Sequence, residues 1–144
     1  MREFNFEWVS TVEISKDARA FDLHNCFDFQ KFAYDLPTRC LSLVWARGVG
    51  DWVRCDLPAM LSLSLFDVDH LAVTPRDPKM PISEDDCLDS FGYTLDGSSN
   101  DDVFLFDGRP DPAWRWVFTF RSEMSIIVGA ERAVLKIGGE LADV

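Results

Sequence analysis

The sequence predicts an all-β, mainly antiparallel protein. The expected architecture is a single-domain β-sandwich or open barrel of about eight to ten strands over residues 1–144, with at most one short helix near residues 84–90. Three observations carry this. Apolar residues recur at every second position along much of the chain, which marks half-buried strands. No stretch holds the 3.6-residue apolar period of a long helix. Gly- and Pro-rich turns separate the alternating runs. A chain of 144 residues, 47% apolar and 27% charged, suits one domain and excludes disordered, collagenous and coiled-coil classes.

The elements follow in order. Phe4, Phe6, Trp8, Val12 and Ile14 share one parity, and Asn5, Glu7, Thr11 and Glu13 the other, so one long first strand is expected. Ser15-Lys16-Asp17 turns the chain. Phe27 and Phe29 alternate with Asp28 and Gln30, giving a second strand to about Tyr34 that Pro37 ends. A third runs from about Cys40 to Ala46, before the Gly48-Val49-Gly50 turn. Leu61, Leu63 and Leu65 alternate with Ser62 and Ser64. The apolar parity then shifts to Phe66 and Val68 and again to Leu71 and Val73, which predicts a bulge or a corner.

Three prolines between Thr74 and Pro81 forbid a central strand there. Ser83-Glu84-Asp85-Asp86 reads as the capped, acidic start of a short helix ending near Ser90. Phe91, Tyr93 and Leu95 form the next strand, and Val103–Phe106 a short one buried on both faces. Trp114, Trp116, Phe118 and Phe120 alternate with Arg115, Thr119 and Arg121. Ser122-Glu123 turns this strand into Met124–Val128, and Val134–Ile137 is the last one. Nineteen aromatic residues supply enough apolar surface for a core without disulfides or metal.

Charge narrows the function classes. Twenty-five acids face 14 bases, for a net charge of −11. Such a chain repels nucleic acid and anionic membrane surfaces, so neither is an expected partner. Residues 84–111 hold nine of the acids and one base, Arg109. This concentration suggests a docking face for a basic protein partner, in which Asp85, Asp86, Asp101, Asp102 and Asp107 supply the field and Trp114 an apolar anchor. Trp52, just past a glycine turn, is a second aromatic candidate.

No cofactor or metal is expected. Cys26, Cys40, Cys55 and Cys87 form no CxxC pair and read as reduced core thiols. Calcium or a small ligand on the acidic loops between 96 and 111 is the alternative reading, although neither loop has the EF-hand pattern. No catalytic residues are assigned. His24 and His70 are the two histidines, no Gly-x-Ser-x-Gly elbow is present, and no glycine loop cradles phosphate. No apolar run is long enough to span a membrane as a helix. Met1–Glu7 carries acids where a signal peptide needs an apolar run, so the expected location is cytoplasmic. Open edge strands make a homo-oligomer feasible.

Two stretches, Phe66-Asp67-Val68-Asp69-His70-Leu71-Ala72-Val73 and Trp116-Val117-Phe118 through Ser125-Ile126-Ile127-Val128, carry a family resemblance. Their pattern resembles the small acidic β-rich immunity proteins that bacteria carry against polymorphic toxins, and similar uncharacterised bacterial families. The resemblance implies stoichiometric, non-catalytic inhibition, with an acidic face covering the basic active site of a toxin. It assigns no residue role.

Overall fold

The computed structural model describes residues 3–95, 103–106 and 110–138. Among them the chain forms twelve strands: β1 (Glu3–Phe4), β2 (Glu7–Trp8), β3 (Glu13–Lys16), β4 (Arg19–Asp22), β5 (Phe27–Asp35), β6 (Cys40–Arg47), β7 (Met60–Phe66), β8 (His70–Thr74), β9 (Leu88–Thr94), β10 (Arg115–Phe120), β11 (Ser125–Gly129) and β12 (Arg132–Gly138). The only helical element among the described residues is a single 3-10 turn, Ile82–Asp86. The protein is all-β and almost wholly antiparallel, with no closed barrel. The strands make three sheets, ordered β1-β12-β7-β6-β5, β8-β11-β10-β9 and β2-β3-β4.

The first alternating run is not one strand. It breaks into β1, which joins the five-stranded sheet, and β2 and β3, which belong to the three-stranded one. Asn5 causes the first break. Its side-chain amide donates to the Leu135 carbonyl at 3.1 Å and accepts from the Leu135 amide at 2.8 Å, standing in for a backbone pair. Ser10 causes the second, because its hydroxyl accepts from the Val12 and Glu13 amides and folds a turn. The chain reverses at Asp17-Ala18, both at positive φ (53° and 64°), a two-residue hairpin turn between the paired Lys16 and Arg19. The returning strand β4 lies where the sequence pattern showed none.

The parity shift after Leu65 is a corner. Asp67, at φ 55°, turns the chain, and the Val68 amide bonds to the Arg39 carbonyl. β7 stays in the five-stranded sheet while β8 enters the four-stranded one. The expected helix to Ser90 is shorter, because Leu88–Ser90 already belong to β9. Ser83 does not cap it; Pro81 precedes the turn, with no side-chain cap. Val103–Phe106 is not a strand buried on both faces. It touches β9 through one bridge, Phe104 to Tyr93, and Phe106 is 45% exposed.

The core fills the space between the two larger sheets. Leu41, Leu43, Leu61, Leu63 and Leu65 face Phe91, Trp116, Phe118 and Ile126, all fully buried. Aromatic rings link the layers: Phe29 of β5 lies 4.6 Å from Phe120 of β10, and Trp8 lies 4.3 Å from Phe91. At the first of these junctions the sheets diverge, and a groove opens.

Candidate partner-binding site

The groove of about 410 Å³ is lined by Phe29, Gln30, Lys31 and Phe32 of β5, by Arg76, Ile82, Asp85 and Asp86, and by Met124. Arg76 fixes the 3-10 turn by donating from Nε to both Asp85 oxygens, at 2.8 and 3.1 Å, and from a terminal nitrogen to the Met80 carbonyl at 2.8 Å. Arg121 pairs with Glu84 at 3.3 Å from the other side. Ile82, at the start of the turn, is 79% exposed beside the groove.

Three acids therefore stand together with different fates. Arg76 holds the Asp85 carboxyl below the usual carboxylate range. Glu84 has Arg121. Asp86 has no cation partner among the described residues, and its carboxyl is pushed up, first by partial desolvation and then by Asp28, Glu84 and Asp85. The result is an apolar floor whose rim carries Lys31 and Arg76 as well as Asp85 and Asp86, with Asp86 in no ion pair among the described residues.

Of the residues expected to act together, Asp85 and Asp86 stand apart from Trp114. Asp85 and Asp86 precede Leu88, which pairs with Phe120; Trp114 precedes Arg115, which pairs with Thr94. These are opposite ends of the β9–β10 ladder, roughly 20 Å apart at the usual rise per strand residue. Asp101, Asp102 and Asp107 lie outside the described residues, as do both acidic loops of the calcium reading apart from their edges. Among the described residues no group of three or more His, Cys, Asp or Glu could hold a metal ion.

Trp114 is half-buried and not a free-standing anchor. Its ring lies 5.9 Å from Tyr93, 5.0 Å from Phe104 and 5.1 Å from Phe106. Trp52 is the displayed tryptophan, 72% exposed. Its ring lies over Gly50, where a Cβ would come within 2.4 Å of it, and its indole N–H donates to the Asn25 carbonyl at 2.9 Å.

Neither histidine stands in a catalytic pair. His24 Nδ1 lies 2.5 Å from the Leu88 carbonyl, so that nitrogen carries the proton and donates it. Cys87 Sγ is 3.6 Å from the same nitrogen, which is thus closed to its proton. Burial pushes the Cys87 thiol up, against the pull of Arg121. The Asp67 carboxylate pairs with Arg39 at 3.7 Å, and His70 Nε2 has no hydrogen-bond partner among the described residues. The four cysteines are free thiols. No helix among the described residues is long and apolar enough to cross a membrane.

Sequence reasoning missed the groove itself. Phe29 and Met124 were read as strand faces, and Arg76 only as part of a proline-rich connection. The one available signal was Ile82, an apolar residue directly before an acidic, turn-forming run. Comparison of the chain with known protein families, with curated proteins and with solved structures finds no match. The resemblance to immunity proteins draws no support from it.

Proposed function

We propose that this protein is a non-catalytic acidic binding module that docks a basic protein partner, and that the groove under the 3-10 turn is where it does so. The carrying observation is Asp86, an acid beside an apolar floor, raised first by partial desolvation and then by Asp28, Glu84 and Asp85, and in no ion pair among the described residues. An arginine or lysine from a partner would relieve that repulsion, while apolar neighbours of the same partner covered Phe29, Phe32 and Ile82. Net charge of −11 would speed the encounter, and the apolar contacts would slow release. This is the chemistry that an immunity-type inhibitor needs.

A labelled peptide alternating arginine and leucine is the probe. Binding is expected to weaken steeply with salt, and Asp86→Lys is expected to weaken it about tenfold or more at low salt. A serine-for-leucine version of the peptide is expected to bind less well. Equal affinity for wild type and Asp86→Lys overturns the groove as the docking site. Loss on reversing Asp101 and Asp102 instead would overturn the groove and move the site to the acidic 96–111 stretch of the sequence.

A further inference from the structure

A second surface starts at the groove wall formed by Lys31 and Phe32 and runs on past it along β5. β5 is the outer strand of the five-stranded sheet, paired with β6 on one side only. Its register shifts at Gln30, and the five residues after the bulge run regularly: Lys31, Phe32, Ala33, Tyr34 and Asp35 pair with Val44, Leu43, Ser42, Leu41 and Cys40. Among the described residues, no backbone bond other than the β5–β6 ladder engages these five. The 3-10 turn packs against β5 across the groove, whose wall includes Lys31 and Phe32 but not Ala33, Tyr34 or Asp35.

An edge like this normally invites another strand, and proteins usually blunt it with a bulge or a lysine. Here the bulge ends before the run begins, and the lysine has a counterpart. Phe32 and Tyr34 lie opposite the buried Leu43 and Leu41, so they sit on the core face of the sheet. Yet Phe32 is 37% exposed and Tyr34 only half-buried. Lys31, Ala33 and Asp35 occupy the other face. Lys31 has no ion pair among the described residues, and Asp35 holds the following turn by accepting from the amide and hydroxyl of Thr38 through one oxygen only.

We propose that this edge is a self-complementary interface at which a second copy of the chain adds its own β5, antiparallel, about a twofold axis through Ala33. A twofold axis normal to the sheet keeps core faces matched, so opposed positions must have the same parity. Centring on Ala33 sets Lys31 opposite the second copy's Asp35, Asp35 opposite its Lys31, and Phe32 opposite its Tyr34. Both charge pairs and both aromatic pairs are formed at once, the cross-strand contacts that stabilise antiparallel pairing. Centring on Phe32 would oppose Lys31 to Ala33 and Asp35 to Phe29. Centring on Tyr34 would oppose Lys31 to Pro37, which has no amide to give. One register alone satisfies the five residues, and it joins two five-stranded sheets into one of ten.

The test is sedimentation velocity over a concentration series at physiological salt, where screening tempers the repulsion between two acidic chains. Wild type is expected to dimerise. Lys31→Asp and Asp35→Lys each turn two attractive pairs into two repulsive ones and are expected to weaken self-association about tenfold or more. An equimolar mixture of the two variants opposes aspartates only to lysines, and is expected to give a heterodimer of wild-type strength. A wild type that stays monomeric, or a dimer indifferent to both reversals, overturns the proposal. Asp35→Lys also removes a turn contact, so amide hydrogen exchange on wild type provides a check free of substitution. Exchange at the outward amides of residues 31–35 is expected to slow as concentration rises, and unchanged exchange overturns the interface. Asp35 does not line the groove, so loss of the dimer in Asp35→Lys with retained peptide binding separates this interface from the proposed function.

Discussion

The five-stranded and four-stranded sheets solve the same problem in opposite ways. β7 alternates: Leu61, Leu63 and Leu65 are buried, while Ser62, Ser64 and Phe66 are half-open on the other face. That outer face is dressed with charge, and the Arg132 guanidinium sits 4.4 Å over the Phe66 ring. In β11 every residue from Ser125 to Gly129 is buried, and in β10 so are Trp116 to Phe120. The four-stranded sheet therefore has two dry faces along its central strands. On the second face Ser90 and Thr119 satisfy each other at 2.7 Å. The Val103–Phe104 segment lies so close over Gly92 that an added Cβ would be 2.6 Å from the Phe104 carbonyl oxygen. One sheet leaves its outer face to solvent, and the other buries both faces of its central strands.

The largest effect that sharpens this contrast is Ile127→Ala. Ile127 points away from the inter-sheet core, yet it is only 4% exposed, so truncation is expected to destabilise by about 2–5 kcal/mol. Ser64→Ala, at an outward position of β7, is expected to stay within about 0.5 kcal/mol. Chemical denaturation of both variants checks the pair, and equal small losses would mean that β11 has a wet face after all. Next comes Gly92→Ala, expected to cost roughly 1–3 kcal/mol by pushing the 103–106 segment away. Thermal melts give the cost, and a shift in tryptophan emission would report Trp114 losing Phe104 and Phe106. An unchanged melting temperature would show that this wrapping adds nothing.

The smallest effect lies at the groove between the sheets. Asp86 has a folded-state pKa above its unfolded one, so the fold takes up a proton there more readily than the unfolded chain does. Its contribution to stability falls as pH rises from the ordinary carboxylate range through the raised value. Above both, the fold carries a fixed penalty, softened by solvent. Asp86→Asn is expected to raise the melting temperature slightly at about pH 7, with the gain gone near pH 3. A gain that persisted at low pH would point to packing instead of charge.

The same contrast explains what the sequence could convey. Strands β6, β7 and β12 were legible because one face is wet, so Ser62 and Ser64 or Lys136 punctuate the apolar residues. The alternation of Trp114 to Phe120 locates β10 but implies a wet second face, where Val117 and Thr119 are in fact buried. Alternation also says nothing of sheet membership. Phe4 and Trp8 keep one parity across a change of sheet, because Asn5 copies a backbone pair with its side chain. The site was less legible still. Nearness in sequence grouped Asp86 with Trp114, but a strand between two residues keeps them apart. The groove needs Phe29, Ile82 and Met124, which only the folded chain gathers.

The clasp of Asn5 on Leu135 spans 130 residues, and β1 lies parallel to β12 beside it. During synthesis at about 5–20 residues per second, Asn5 is made roughly 6–26 seconds before its partner exists. Hairpins such as β3–β4 and β5–β6 are free to close as they emerge. The β1 edge of the five-stranded sheet must wait, with Phe4 and Phe6 uncovered, for nearly the whole chain. Completion of the five-stranded sheet is thus gated by β12. A stalled nascent chain ending before Arg132 would present those aromatic rings to chaperones, whereas one carrying β12 past the exit tunnel would hide them.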